Sequence, residues 1–260
     1  MEPLFNQMLP LLHTLWWPFC RILAMFSAAP LIGETTLPMP VRILLSLVLA
    51  VVMLPLVPGG AQIDPFSLNG VASTVQEVLI GFVMGLAFHL AMAVIMVLGF
   101  LVSSQIGLSM ALMNDPLNGA SSDVVSSLLA TMCALVFFAV DGHLLLAGVI
   151  GASFGAWPVG GGIPLTTLQA IAFNVAWVFS AALLLAVPMV FATMVVQIGF
   201  GFLNRVAPSL NLFSLGFSLV TVFGLFMLGH VARVVPQHYL RMCGQVLDML
   251  QQQMRVASHG

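Results

Sequence analysis

Residues 78–114 read VLIGFVMGLAFHLAMAVIMVLGFLVSSQIGLSMALMN, 37 residues from Val78 to Asn114 without a charged side chain. A second run, Gly142 to Asn204, extends 63 residues and is interrupted by little beyond glycine, proline and amides. Runs of this length cannot be the core of a water-soluble domain of 260 residues, because such a globule needs a polar exterior and this chain is 5% charged, 61% hydrophobic and free of lysine. About 20 apolar residues cross a bilayer as a helix. The composition therefore places the chain in or against a membrane as an all-α, polytopic helical protein with about six long hydrophobic segments.

Proline and glycine divide the chain. A first helix is expected over about Gln7 to Ala29, followed by the loop Pro30 to Pro40, and a second over about Val41 to Val57, closed by Pro58-Gly59-Gly60. The N-terminus has no basic residue before Arg21, so a cleavable leader is not expected and the first helix should stay in the mature protein. Thr74-Val75-Gln76-Glu77 fits a capping box opening a third helix that lasts to about Met113, where Asn114-Asp115-Pro116 stops it. A helix of about 40 residues would span roughly 60 Å, twice the hydrocarbon thickness, and must bend, break or leave the bilayer. Asp123 to Trp157 has the opposite mismatch: Asp141-Gly142-His143 splits it into two pieces short for spanning, as in a re-entrant hairpin. Gly160-Gly161-Gly162 precedes a fifth helix, about Leu165 to Leu203 with Pro188 inside, and a sixth, about Ser209 to Val235. After Pro236, apolar Leu240, Val246, Leu247, Leu250 and Met254 alternate with Arg241, Gln245, Asp248, Gln251 and Arg255, the pattern of an amphipathic helix. Counting arginines does not orient the chain: Arg42 and Arg205 fall on one side, Arg233, Arg241 and Arg255 on the other.

Six arginines against eight acids give a net charge of −2, too small and scattered for a nucleic-acid footprint. Cys20, Cys133 and Cys243 lie far apart with no metal-ligand spacing and read as buried hydrophobes. No HExxH, GxSxG or phosphate loop occurs, so no enzyme activity, cofactor or metal is expected. Glu77, His89, Asp141, His143 and Arg205 are the ionisable groups placed inside or at the edge of the membrane layer, where a charge costs at least ~2.5 kcal/mol and marks a functional candidate. Blander roles stand beside each: Glu77 as a helix-start carboxylate, Asp141 and His143 as caps flanking Gly142, His89 as a core histidine. Gly81 and Gly85 form a GxxxG step for close helix packing. Met110, Leu112 and Met113 beside Asn114, Asp115 and Pro116 make an adaptable apolar patch after the longest apolar helix, suited to sealing a constriction.

Several segments, read in order, resemble the FliR/SctT family of type III export-gate proteins. They are Arg21 with Ala29-Pro30-Leu31-Ile32-Gly33 and Pro40-Val41-Arg42; Glu77 with Ile80-Gly81-Phe82 and Gly85; Gly99 with Ser104-Gln105-Ile106-Gly107; Asn114-Asp115-Pro116; Phe137-Phe138 through Gly142-His143; and Asn204-Arg205-Val206-Ala207-Pro208-Ser209-Leu210-Asn211. The departures are the lack of a Met near Ile106, of an aromatic near Asn114 and of an Asn near Asp141. The resemblance implies a non-enzymatic, channel-forming subunit that passes unfolded flagellar proteins across the bacterial inner membrane at the flagellar basal body. Its implied partners are FliP-like and FliQ-like membrane subunits, an FlhB-like export-switch protein and an FlhA-like export component. Residues 1–164 would be FliP-like, 165–235 a FliQ-like hairpin with Asn204, Arg205, Pro208 and Asn211 at its partner-contacting turn, and 236–260 the amphipathic tail. The segment 110–118 would be the channel plug. Outside the resemblance, the alternative is a proton-coupled small-solute transporter using Glu77, Asp141 and His143, against which stands the lack of internal repeats and of charges converging at mid-membrane.

Overall fold

The computed structural model describes residues 2–30, 32–33, 37–57, 63–108, 123–206 and 212–259. Among these residues seven helices follow one another: α1 (Glu2–Ala28), α2 (Met39–Met53) with a 3-10 turn at Leu54–Leu56, α3 (Leu68–Ile106), α4 (Val124–Ala139), α5 (Gly142–Ala156), α6 (Leu165–Val206) and α7 (Leu212–His259). No strand occurs among the described residues. Among the described residues four stretches are long and apolar enough to cross a membrane, Met39–Leu56, Leu68–Ile106, Leu165–Val206 and Ser218–Ala257, and α4 with α5 qualifies as one further broken span. The protein is thus the all-α membrane protein its composition implies.

Helix boundaries follow the local chemistry, with three departures from expectation. First, Thr74 and Glu77 are not a capping box, since α3 opens at Leu68. Ser67 does the capping: its Oγ accepts from Gly70 N at 3.0 Å while donating to Asp64 O at 2.7 Å, the N-cap to N3 geometry that satisfies an orphan backbone donor. Second, Pro236 does not end a helix. α7 continues through it for 48 residues, and α6 likewise continues across Pro188. A proline removes one intrahelical hydrogen bond, which neighbouring helices can offset in an apolar bundle. α3 closes earlier than expected, at Ile106, where Gly107 takes φ 84°, a left-handed C-terminal stop that favours glycine. The amphipathic pattern after Pro236 is realised on α7: Val246, Leu250 and Met254 are buried, while Arg241, Gln245, Asp248, Gln251 and Arg255 are exposed.

Two compact units share these helices. One takes residues 1–90, 138–174 and 243–260, the other 91–137 and 175–242, so α3, α6 and α7 each pass from one unit to the other. In the first, α1 and α3 run side by side in the same direction: Trp16 Nε1 donates to Thr74 Oγ1 at 3.0 Å, and further along both helices Met25 meets Gly85. Ile22, Met25, Ile80, Met84, Phe154 and Trp157 are buried around this contact. In the second unit Gly99 packs onto Ser126 and Gly224 onto Ile106, each leaving no room for a Cβ. Thr221 Oγ1 donates to Ile106 O at 3.1 Å, taking up one of the last carbonyls of α3. α6 and α7 run antiparallel there, with Gly216 against the Phe200 ring. In an apolar solvent these contacts stabilise by packing density and small-residue approach rather than by removal of water.

Candidate functional site

Arg21 on α1 has no exposed surface, and neither does Glu77 on α3. Their side chains pair bidentately: Arg21 Nε donates to Glu77 Oε2 at 2.7 Å and Nη2 to Oε1 at 3.0 Å. The remaining donors turn to α5 and the residue after it. Nη1 donates to Ser153 Oγ at 3.0 Å and Nη2 to the carbonyl of Trp157 at 2.8 Å. Ser153 passes its own proton on to Ile150 O at 2.7 Å. The Phe154 ring lies 4.2 Å from Arg21 Cζ, a cation–π contact strengthened by the absence of water. A planar guanidinium suits this arrangement because its fixed fork reads a carboxylate with one edge and other acceptors with the rest.

The reach of Arg21 depends on how near the two backbones come. Gly81, one turn beyond Glu77, lies against the Arg21 carbonyl, and a Cβ there would collide with it; one at Gly85 would meet Met25 O and stand 2.8 Å from Ala28 Cβ. The Gly81–Gly85 step thus sets the α1–α3 separation, and the ion pair forms inside it. Sequence reading marked Glu77 and both glycines but left out Arg21, Ser153, Phe154 and Trp157. A signal was available: Arg21 is the sole charge between Glu2 and Glu34, and Glu77 the sole charge between Asp64 and Asp115. Lone opposite charges in apolar helices pair.

The other marked residues lie elsewhere. Asp141 is exposed, adopts φ 55° and makes no side-chain cap; only its carbonyl accepts, from Leu144 N at 2.9 Å. It breaks the chain between α4 and α5 by its backbone conformation, one that aspartate tolerates better than most residues. Gly142 is buried at the first position of α5, and exposed His143 rests its ring on Phe138, centroids 6.1 Å apart. His89 is half-buried on α3. Asn204 and Arg205 are exposed at the end of α6, where the cation complements the helix dipole. Asn204 borders an open cleft with Ser104, Gln105, Gln197 and Phe200. Pro208, Asn211 and the plug candidates Met110, Leu112, Met113, Asn114, Asp115 and Pro116 lie outside the described residues. All three cysteines are buried and in no disulfide, and no group of potential metal ligands gathers among the described residues.

The cluster commits the Arg21 donors and the Glu77 oxygens to partners within it, while the buried Trp157 Nε1 has none. The same contacts hold three helices in one register. Comparison with known proteins gives that architecture a family. The profile of the bacterial export proteins, family 1, matches residues 12–246. The flagellar biosynthetic protein FliR of Pectobacterium carotovorum subsp. carotovorum is 32% identical over 90% of each chain, and that of Escherichia coli strain K12 is 28% identical over 94% of each. The Yop proteins translocation protein T of Yersinia pestis is 24% identical over 67% of this chain and 70% of its own. With a profile match along nearly its whole length and a relative above 30% identity, this chain belongs to the bacterial export proteins, family 1, the FliR/SctT family.

Proposed function

We propose that the chain is a channel-forming core subunit of the flagellar type III export gate, passing unfolded flagellar proteins across the inner membrane at the basal body. FliP-like and FliQ-like subunits complete the assembly, with an FlhB-like export-switch protein on its cytoplasmic side and an FlhA-like export component. The observation that carries this reading is the end-to-end match to proteins named for flagellar biosynthesis. Two features of the chain support it. Helices of 39, 42 and 48 residues, about 60–70 Å long, exceed the bilayer and need a protein surface along part of their length. Large exposed apolar side chains line α6 from Phe173 (78% exposed) through Leu184 (72%) to Phe191 (63%), as suits a subunit packed among other helices.

In this reading the subunit is not an enzyme. Residues 1–164 are the FliP-like part, 165–235 the FliQ-like hairpin and 236–260 the tail. Asn204, Arg205, Pro208 and Asn211 make a partner contact at the hairpin turn. Met110, Leu112, Met113, Asn114, Asp115 and Pro116 close the passage at rest, because a pore that admits an unfolded chain leaks ions unless an apolar constriction excludes water. A proton-coupled transporter is disfavoured by the site itself: Glu77, its best proton carrier, is sealed against Arg21. The test is a deletion strain, expected to lose export of filament and hook proteins while keeping membrane potential and general secretion. Normal filament secretion without the chain refutes the reading.

A further inference from the structure

One face of α7 changes character within a single turn. Leu219, Val222 and Phe226 point outward on it, 51, 67 and 61% exposed. The same face continues with His230, Arg233, Gln237 and Arg241, also exposed, at the i, i+3, i+7, i+11 spacing of one helical stripe. The Phe226 and His230 rings touch at the seam, centroids 4.8 Å apart. From a bilayer alone such a change would mark the border between hydrocarbon and headgroups.

The neighbouring helix argues against that. Gly216 of α7 lies against Phe200 of α6, and the two helices run antiparallel. Counted back from that contact, residues 230–241 of α7 run beside the part of α6 at about 175–189. Its outward side chains Phe179, Leu183, Leu184 and Val187 are 57, 55, 72 and 56% exposed. At one depth, then, α7 shows arginine and amide while α6 shows leucine and phenylalanine. A lipid layer offers one medium at one depth. The stripe from His230 to Arg241 also rises about 16 Å, more than twice the 5–7 Å of a headgroup zone.

We propose that His230, Arg233, Gln237 and Arg241 form a docking stripe for an acidic polypeptide helix of another subunit. Asp or Glu side chains of that partner would pair with Arg233 and Arg241, and Gln237 would bond between them. Charge complementarity selects the occupant, since the stripe holds two arginines and a histidine and no acid. The inference rests on the export-gate reading, which supplies a multi-chain assembly for α7 to meet.

The test uses the full chain in its native complex, with a photo-crosslinking benzoylphenylalanine in place of Gln237 and both arginines intact. The expected adduct is a partner peptide carrying Asp or Glu at the junction. The R233E/R241E variant should lower secretion of filament protein at least tenfold, the R233K/R241K variant should stay within twofold of wild type, and reversing the crosslinked partner acid to Arg should restore R233E/R241E. Adducts with phospholipid alone, with exported substrate alone, or none overturn the proposal. So does normal secretion by R233E/R241E. If the deletion strain still exports filament protein, the export-gate reading fails, and the stripe proposal fails with it; a crosslinking failure in an export-dependent complex counts against the stripe alone.

Discussion

Removing one member of the Arg21–Glu77 pair should unfold more of the protein than removing both. In Glu77→Gln, Arg21 keeps its charge and its bonds to Ser153 and Trp157 but loses its counter-charge at zero exposure. In Arg21→Met, Glu77 becomes a buried carboxylate with no cation. Breaking a buried pair by removing one partner costs about 3–5 kcal/mol, two to three and a half orders of magnitude in the folded population. The double variant Arg21→Met/Glu77→Leu removes both charges and leaves one main orphan, the Trp157 carbonyl. Ser153 still has Ile150 O as acceptor. An unsatisfied buried acceptor costs about 1–3 kcal/mol, so the double variant should lie nearer the wild type than either single, with a coupling energy of at least ~2 kcal/mol. The measurement is the thermal aggregation midpoint of the detergent-purified chain with its membrane yield. At roughly 2–4 °C per kcal/mol for a chain of this size, the singles should fall by about 6–20 °C. If the singles shift by under 2 °C, or the double falls by their sum, the pair does not hold the helices in register.

Gly81→Ala pushes a Cβ into the Arg21 carbonyl, whereas Gly148→Ala meets nothing within 4 Å. The first should lower the midpoint by the equivalent of about 1–3 kcal/mol and the second should leave it unchanged or raise it slightly. Replacing Met110 to Met113 with Gly and Ser should raise ion passage through the assembled complex without altering assembly; unchanged conductance removes that segment from gating. Arg205→Ala should reduce recovery of the assembled complex severalfold, and crosslinks from position 205 that reach lipid and never protein would reassign it to the membrane interface.

Where apolar length and helix punctuation carried the information, the architecture was readable beforehand. Uncharged runs gave the long helices, and the break at Asp141-Gly142 and the left-handed glycines at 160 and 162 sit where turn-forming residues stand. Errors arose where two local patterns competed. Thr74 and Glu77 satisfy the capping pattern, but Ser67 lies upstream and takes the role, which frees Glu77 for a partner on another helix. Pro236 reads as a stop because sequence shows the missing N–H and not the packing that offsets it. The polar cluster was half visible. Its glycines and carboxylate lie within eight residues of one another, but Arg21 is 56 residues from Glu77 and 132 from Ser153, and that proximity is a property of the tertiary arrangement.

Those separations also set a timetable. Arg21 leaves the ribosome 56 residues ahead of its counter-ion and 136 ahead of the Trp157 carbonyl. At about 5–20 residues per second, its charge waits roughly 3–11 s for Glu77 and 7–27 s for the last acceptor. During that interval α1 cannot pack where it finally lies, since an arginine without its counter-charge and acceptors is too costly to bury. Its final seating is therefore late, triggered by the arrival of α3 and completed by α5. A nascent chain stalled before Glu77 therefore carries a first helix whose arginine has no counter-ion, and the register of the three helices is set only once α5 has emerged.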